Sequence, residues 1–184
     1  YYNAYGQCCW LDSTFSFIPS PEGCTDPAAN NYDANAVCDD GSCCYSSLFN
    51  LEIYTGSECY TYRMGWQIQD DNGNTVASGG NQNGESWSSY STYNYDICIS
   101  DTCAVYNLIL FDDWGDAWNW CGGSPTATLT DPSGNVVVSY NADNQCCWSQ
   151  EYFPFSSSVE GCMDPTANNY DANALCDDGS CCYS

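Results

Sequence analysis

The stretch FNLEIY, Phe49 to Tyr54, sets Phe49, Leu51 and Ile53 at alternate positions with Asn50 and Glu52 between them. That is the period-2 pattern of a strand with one dry face and one wet face. The same alternation runs through Met64, Trp66 and Ile68, and through Tyr106, Leu108 and Leu110 of YNLILF. The run from Val105 to Asp113 has some helical propensity, yet its alternation and its β-branched and aromatic flanks favour strand. Asp71-Asn72-Gly73 and Asp131-Pro132-Ser133-Gly134 supply turn chemistry between such runs. With no convincing amphipathic helix, the reading is all-β: an antiparallel β-sandwich over residues 47–159.

Outward from these strands, the central block echoes itself. IQDDNGNTVAS from Ile68 returns as LTDPSGNVVVS from Leu129, FNLEIY returns as YNLILF, and YNY at Tyr93 to Tyr95 answers FPF at Phe153 to Phe155. Two half-domains are expected, each supplying a strand, a hairpin and an aromatic closing strand. A longer repeat encloses this one. Residues 1–46 align without a gap on residues 139–184 with 32 of 46 identical, a period of 138. The expected organisation is therefore a tandem array. Residues 1–21 would be the closing strands of a preceding or neighbouring β-domain, 22–46 a Cys-rich module, 47–159 the internally duplicated sandwich, and 160–184 a second Cys-rich module.

Each of these short modules is rich in Gly, Asn, Asp, Pro and Cys and is too small to bury a core, so covalent staples must hold it. A bridge from Cys24 to Cys43 would close a loop worth roughly 3 kcal/mol on the chain-entropy model, and Cys162 to Cys181 would be its copy.

Composition narrows the function. Sixteen Cys in 184 residues mark a disulfide scaffold, which places the chain outside the cell. The formal charge is −23 and Arg63 is the only basic side chain, with no Lys and no His. Nothing is available to neutralise phosphates, which excludes nucleic acid, and an anionic membrane surface would repel the chain. No run is long enough for membrane insertion and no segment reads as a signal peptide, which suggests a mature or partial chain. So many carboxylates favour a medium with divalent cations or high ionic strength.

The string GCTDPAANNYDANAVCDDGSC, Gly23 to Cys43, and its copy from Gly161 to Cys181 resemble a short Cys-rich module repeated in large secreted surface proteins of aquatic bacteria and microbial eukaryotes. Residues 47–155 are similar to a companion GDGW-type β-domain of those proteins. The matching features are a W-x-I-x-D-x-x-G strand-turn from Trp66 to Gly73, a C-x4-C hairpin at Cys98 and Cys103, and DDWGDAW at 112–118. The second Gly of that loop is Ala117 here. The resemblance spans nearly the whole chain and implies location and architecture, with no activity to transfer.

Four kinds of chemistry are candidates. Adjacent Cys in an extended strand point to opposite faces, so Cys8 and Cys9, or Cys146 and Cys147, should bond in two directions. Together with Cys44 and Cys182 they are the candidates for inter-module disulfides, set against purely local pairing. A zinc site from Cys24, Cys38, Cys43 and Cys44 lacks the knuckle spacing. Asp112, Asp113 and Asp116, and in the module Asn31, Asp33, Asn35, Asp39 and Asp40, are oxygen ligands suited to calcium, the one cofactor the sequence suggests. The competing reading is that they make Asx-turns and cap the backbone. Without His or Lys no Ser-His or Cys-His nucleophile and no Schiff base can be built, and the carboxylates a glycosidase would need fall in turn motifs, so no enzyme is expected. Trp87, Tyr90, Tyr93, Trp114, Trp118 and Trp120 are too many for one small core and read as an interface in preference to a glycan face, while Trp66 and Trp148 read as core. No N-x-S/T sequon occurs, and SWSSYST leaves O-glycosylation open.

Residues 1–21 duplicate strands the central domain already owns, so they are orphaned unless another repeat or another subunit supplies their sheet. The partner expected is therefore the chain itself, as adjacent repeats or as a head-to-tail homopolymer. The functional expectation is a structural subunit of an extracellular filament or surface appendage, stabilised by disulfides and poor in trypsin sites. The alternative is a calcium- or glycan-binding adhesion module whose partners are surface glycans.

Overall fold

A computed structural model describes residues 21–184 apart from 101–102, 120, 122, 144, 159, 173, 175 and 184. The proposed closing strands at 1–21, with Cys8 and Cys9, and Trp120 lie outside the described residues apart from Pro21. The fold is all-β. Two short pairings bracket the chain, β1 (Glu22–Gly23) with β2 (Cys38–Asp39) and β11 (Glu160–Gly161) with β12 (Cys176–Asp177). Between them run β3 (Ser47–Tyr54), β4 (Met64–Gln69), β5 (Thr75–Gly80), β6 (Thr92–Ile99), β7 (Val105–Asp112), β8 (Thr126–Thr130), β9 (Val136–Asn141) and β10 (Gln150–Ser156). The only helical pieces among the described residues are single turns at Thr61–Arg63 and Asn81–Asn83.

The eight long strands form two antiparallel four-stranded sheets, ordered β6-β3-β8-β9 and β10-β7-β4-β5. β3 and β6 share one sheet while the β4–β5 hairpin between them lies in the other, and β7 and β10 share the second sheet while the β8–β9 hairpin between them lies in the first. Both hairpins are built alike. Asp70 caps its turn by accepting from the N–H groups of Asn72 and Asn74 at 3.0 and 2.7 Å, and Asp131 does so for Ser133 and Asn135 at 2.9 and 2.8 Å. Gly73 and Gly134 close the turns at φ +81° and +86°, a region that glycine enters without a Cβ penalty. The register slips at Ile68/Gln69 in one hairpin and at Leu129/Thr130 in the other, which is the same step of the two echoing segments.

The inward residues of both sheets meet in one cluster. Phe49, Leu51 and Ile53 face Met64, Trp66 and Ile68 together with Tyr106, Leu108 and Leu110, and all of these are buried. Fully burying a side chain of this size contributes about 1.5–3 kcal/mol, so this cluster is the main non-covalent source of stability.

Two aromatics read as interface belong to the core instead. Trp87 and Trp118 are 6% and 1% exposed and meet edge to face at 6.3 Å. Trp87 lies in a connection without regular alternation, and Trp118 is folded inward by positive φ at Ala117 and Trp118, +67° and +54°, which no pattern of alternation signals.

Candidate functional site

Strand direction decides where the Cys-rich modules attach. Ser47, which leaves the first module, pairs with Ile99 at the end of β6, and Ser156, which leads into the second, pairs with Val105 at the start of β7. A connection of a few residues joins Ile99 to Val105, so both junctions lie at the same end of the paired sheets. A cleft there is lined by Ser47 and Pro132 from one sheet and by Phe155 to Ser158 from the other.

Disulfides fix both junctions. Cys44 of the first module bonds Cys98 of β6, and Cys103, just before β7, bonds Cys176 of the second module. Cys98 and Cys103 therefore do not close a C-x4-C hairpin. The strands they flank belong to different sheets, and each Cys turns toward its own module. Hydrogen bonds reinforce the clamps: Asn30 donates to the Ser46 carbonyl at 2.6 Å, and the Ser157 hydroxyl donates to the Ala104 carbonyl at 3.2 Å.

Within the modules Cys24 bonds Cys43 and Cys162 bonds Cys181. The other module residues act on the backbone. Asn31 donates to the Ser42 carbonyl at 2.7 Å and accepts from the Cys44 N–H at 2.7 Å. Asp33 accepts from Asn35, Asp39 from Gly41 and Asp40 from Ser42, all at 2.8–2.9 Å. These are the Asx-turn caps that competed with calcium ligation in the sequence. With Cys24, Cys38, Cys43 and Cys44 all in disulfides, the thiolates of a zinc site are gone.

Cys146 and Cys147 bond each other and not two separate partners. They lie in the connection between β9 and β10, with Cys147 at φ +73°, so the opposite-face rule for an extended strand does not apply to them. Sequence reasoning also missed Cys59–Cys121, which ties the β3–β4 and β7–β8 connections together at the end away from the modules. Buried Glu58 beside it accepts from the N–H groups of Tyr60 at 3.0 Å and Cys121 at 3.3 Å. No spacing rule pairs two Cys so far apart in the chain before the strands are placed.

The same far end carries the Asp loop. Asp112, 2% exposed, accepts from the N–H groups of Trp114 at 2.9 Å and Trp118 at 3.0 Å, one on each carboxylate oxygen. Burial acts to raise its pKa, but hydrogen bonds from Asp116 and from those N–H groups bring it below the ordinary aspartate value. Asp116 moves the other way. Burial, then the hydrogen bond and the repulsion of Asp112, push it up to about 6 against the pull of Arg63. Arg63, buried, stacks between Tyr60 and Trp114 at 3.9 Å from each ring and lies 3.8 Å from Asp116. Asp113 accepts from Asn81. Among the described residues Trp114 and Tyr90 are the most exposed aromatics, at 74% and 72%, and Tyr93 is half-buried against Trp87. No helix among the described residues is long and apolar enough to cross a membrane.

No family model matches the chain, and no solved structure matches it. Short similarities exist to ribulose bisphosphate carboxylase/oxygenase activases. The identity is 68% over 28 residues with the chloroplastic activase 1 of Larrea tridentata, 62% over 29 with that of Oryza sativa subsp. japonica, and 59% over 29 with that of Arabidopsis thaliana. Each match covers 15–16% of this chain and 6% of the activase, so it shows a shared short segment only.

Proposed function

We propose that this chain is a structural repeat of an extracellular filament or surface appendage, in which two-sheet sandwich domains alternate with Cys-rich modules on the long repeat that carries residues 1–46 onto 139–184. The observation that carries the proposal is the double clamp: Cys44–Cys98 and Cys103–Cys176 bolt a copy of the same module to each side of one end of a single sheet domain. A covalently braced connector repeated on both sides of a domain transmits load and fixes orientation, and it offers no chemistry to a substrate. The buried Arg63 supports the same reading, because the one trypsin-type site is covered. An oxidising environment is the one in which six disulfides between described residues persist.

A second reading has its own observation. Trp114 and Tyr90 stand exposed at the end away from the modules, where an adhesion module would meet a glycan, with calcium as its cofactor. A glycan array run with and without a chelator separates the two. The structural reading predicts no saturable sugar binding under either condition, and chelator-sensitive binding would replace it with the adhesion reading.

A further inference from the structure

The two modules are internally the same and differ in what meets the Cys44 position. Asn169 repeats the contacts of Asn31, donating to the Ser180 carbonyl at 2.9 Å and accepting from the Cys182 N–H at 2.8 Å. Tyr183 donates to Asp164 at 2.6 Å as Tyr45 donates to Asp26 at 2.8 Å. Both modules close with the same Cys pair, Cys24–Cys43 and Cys162–Cys181. Their surroundings differ at one Cys. In the first module Cys44 is bonded to Cys98 of β6 and is 0% exposed. In the second module its counterpart Cys182 is exposed and is the one free Cys among the described residues. On the opposite face Cys176 is buried in its bond to Cys103 of the sheet domain that precedes it, and its counterpart Cys38 is likewise in a disulfide.

We infer that the Cys182 face of the second module is the docking site for a second copy of this sheet domain, held by a disulfide from Cys182 to the Cys98 position of that copy. The inference rests on the reading of the chain as a repeat and names the contact that joins one repeat to the next. The occupant is set by the first module, where the same fold presents the same Cys to Cys98, with Ser46 within 3.3 Å of the Cys98 sulfur. Each module is then a two-sided clamp. One Cys pair closes it, the Cys176 position bonds the preceding sheet domain, and the Cys182 position bonds the following one. Formation of the new bond removes one proton and one electron from each thiol. A small-molecule or protein disulfide takes both electrons and both protons and leaves as two thiols.

The test is a chain extended after Ser184 by a second copy of residues 47–184 and refolded in a mixture of oxidised and reduced glutathione, beside the chain that ends at Ser184. In the shorter chain a thiol alkylating agent should label Cys182. In the extended chain that labelling should be lost, and peptide mapping without reduction should recover the Cys182 peptide joined to the second copy's Cys98 peptide. In the extended chain carrying Cys182→Ser, label should appear at the second copy's Cys98 position. A Cys182 that stays as reactive in the extended chain as in the shorter one, or that bonds any other Cys, overturns the inference. Neither result depends on filaments forming, so the clamp can fail while the filament reading stands, and the reverse.

Discussion

Arg63 is the only basic side chain among 24 carboxylates, and it is spent on a local structure. Its guanidinium lies between Tyr60 and Trp114 and faces Asp116, which in turn shares a hydrogen bond with Asp112. The sequence marked Asp112, Asp113 and Asp116 as belonging together, but not that Asp112 would be consumed by backbone N–H groups. That depends on positive φ at Ala117 and Trp118, which composition does not announce. Asp112→Ala leaves those N–H groups without their acceptor inside the loop, and the expected loss is about 3 kcal/mol in denaturant unfolding. Titration gives a second prediction. Asp116 has its folded pKa raised to about 6, from an ordinary 3.8, so the folded state holds its proton more tightly than the unfolded state does. The stability this contributes is complete below the ordinary aspartate value and is lost as pH rises through about 6. Groups with lowered pKa, such as Asp70, Asp112 and Asp131, contribute with the opposite sign, and their contribution is lost only as pH falls below the ordinary range. Unfolding midpoints measured from pH 4 to pH 7 should therefore fall in the native chain and show a shallower slope in Asp116→Asn.

At the scale of elements, alternation was enough to find β3, β4 and β7. Phe49, Leu51 and Ile53 occupy the inner face that their spacing implies, and the two Asp-x-x-Gly turns sit where turn chemistry put them. The exchange of hairpins between sheets was not legible, because a period-2 pattern says which side of a strand is dry and not which strand lies beside it. The exchange packs β4 against β7 and β8 against β3, pairings between halves that are long-range in sequence. It also brings Gly79 of β5 under the indole of Trp66, where a Cβ would meet Cε2 at 2.7 Å. Gly79→Ala must displace a fully buried tryptophan, and overpacking of this kind costs about 1–3 kcal/mol. The expected readout is a lower melting temperature together with a changed near-ultraviolet signal from the Trp66–Tyr95 contact, which lies at 4.8 Å. An unchanged melt would mean that β5 is looser than its register with β4 indicates.

For the whole molecule, the disulfides carry most of what the strands do not determine. Cys44–Cys98 and Cys103–Cys176 close loops of 54 and 73 residues, each worth about 4 kcal/mol on the chain-entropy model. The sequence offered Cys44 and Cys182 as joints between modules, and the long repeat, which carries Cys44 onto Cys182, points the same way. The pairings with Cys98 and Cys103 needed the placement of β6 and β7. Because both modules leave from one end of the sheet domain, an array built on this pattern has a spine of modules and sheet-domain ends. In the proposed array the Arg63 and Trp114 ends would project sideways from that spine. The most direct test is electron cryomicroscopy of native, unreduced material from the source. The account predicts unbranched filaments with one lobe projecting from a thin spine for every long repeat of the sequence. Dispersed globular particles, or filaments whose lobes are strung in line through opposite ends, would contradict it.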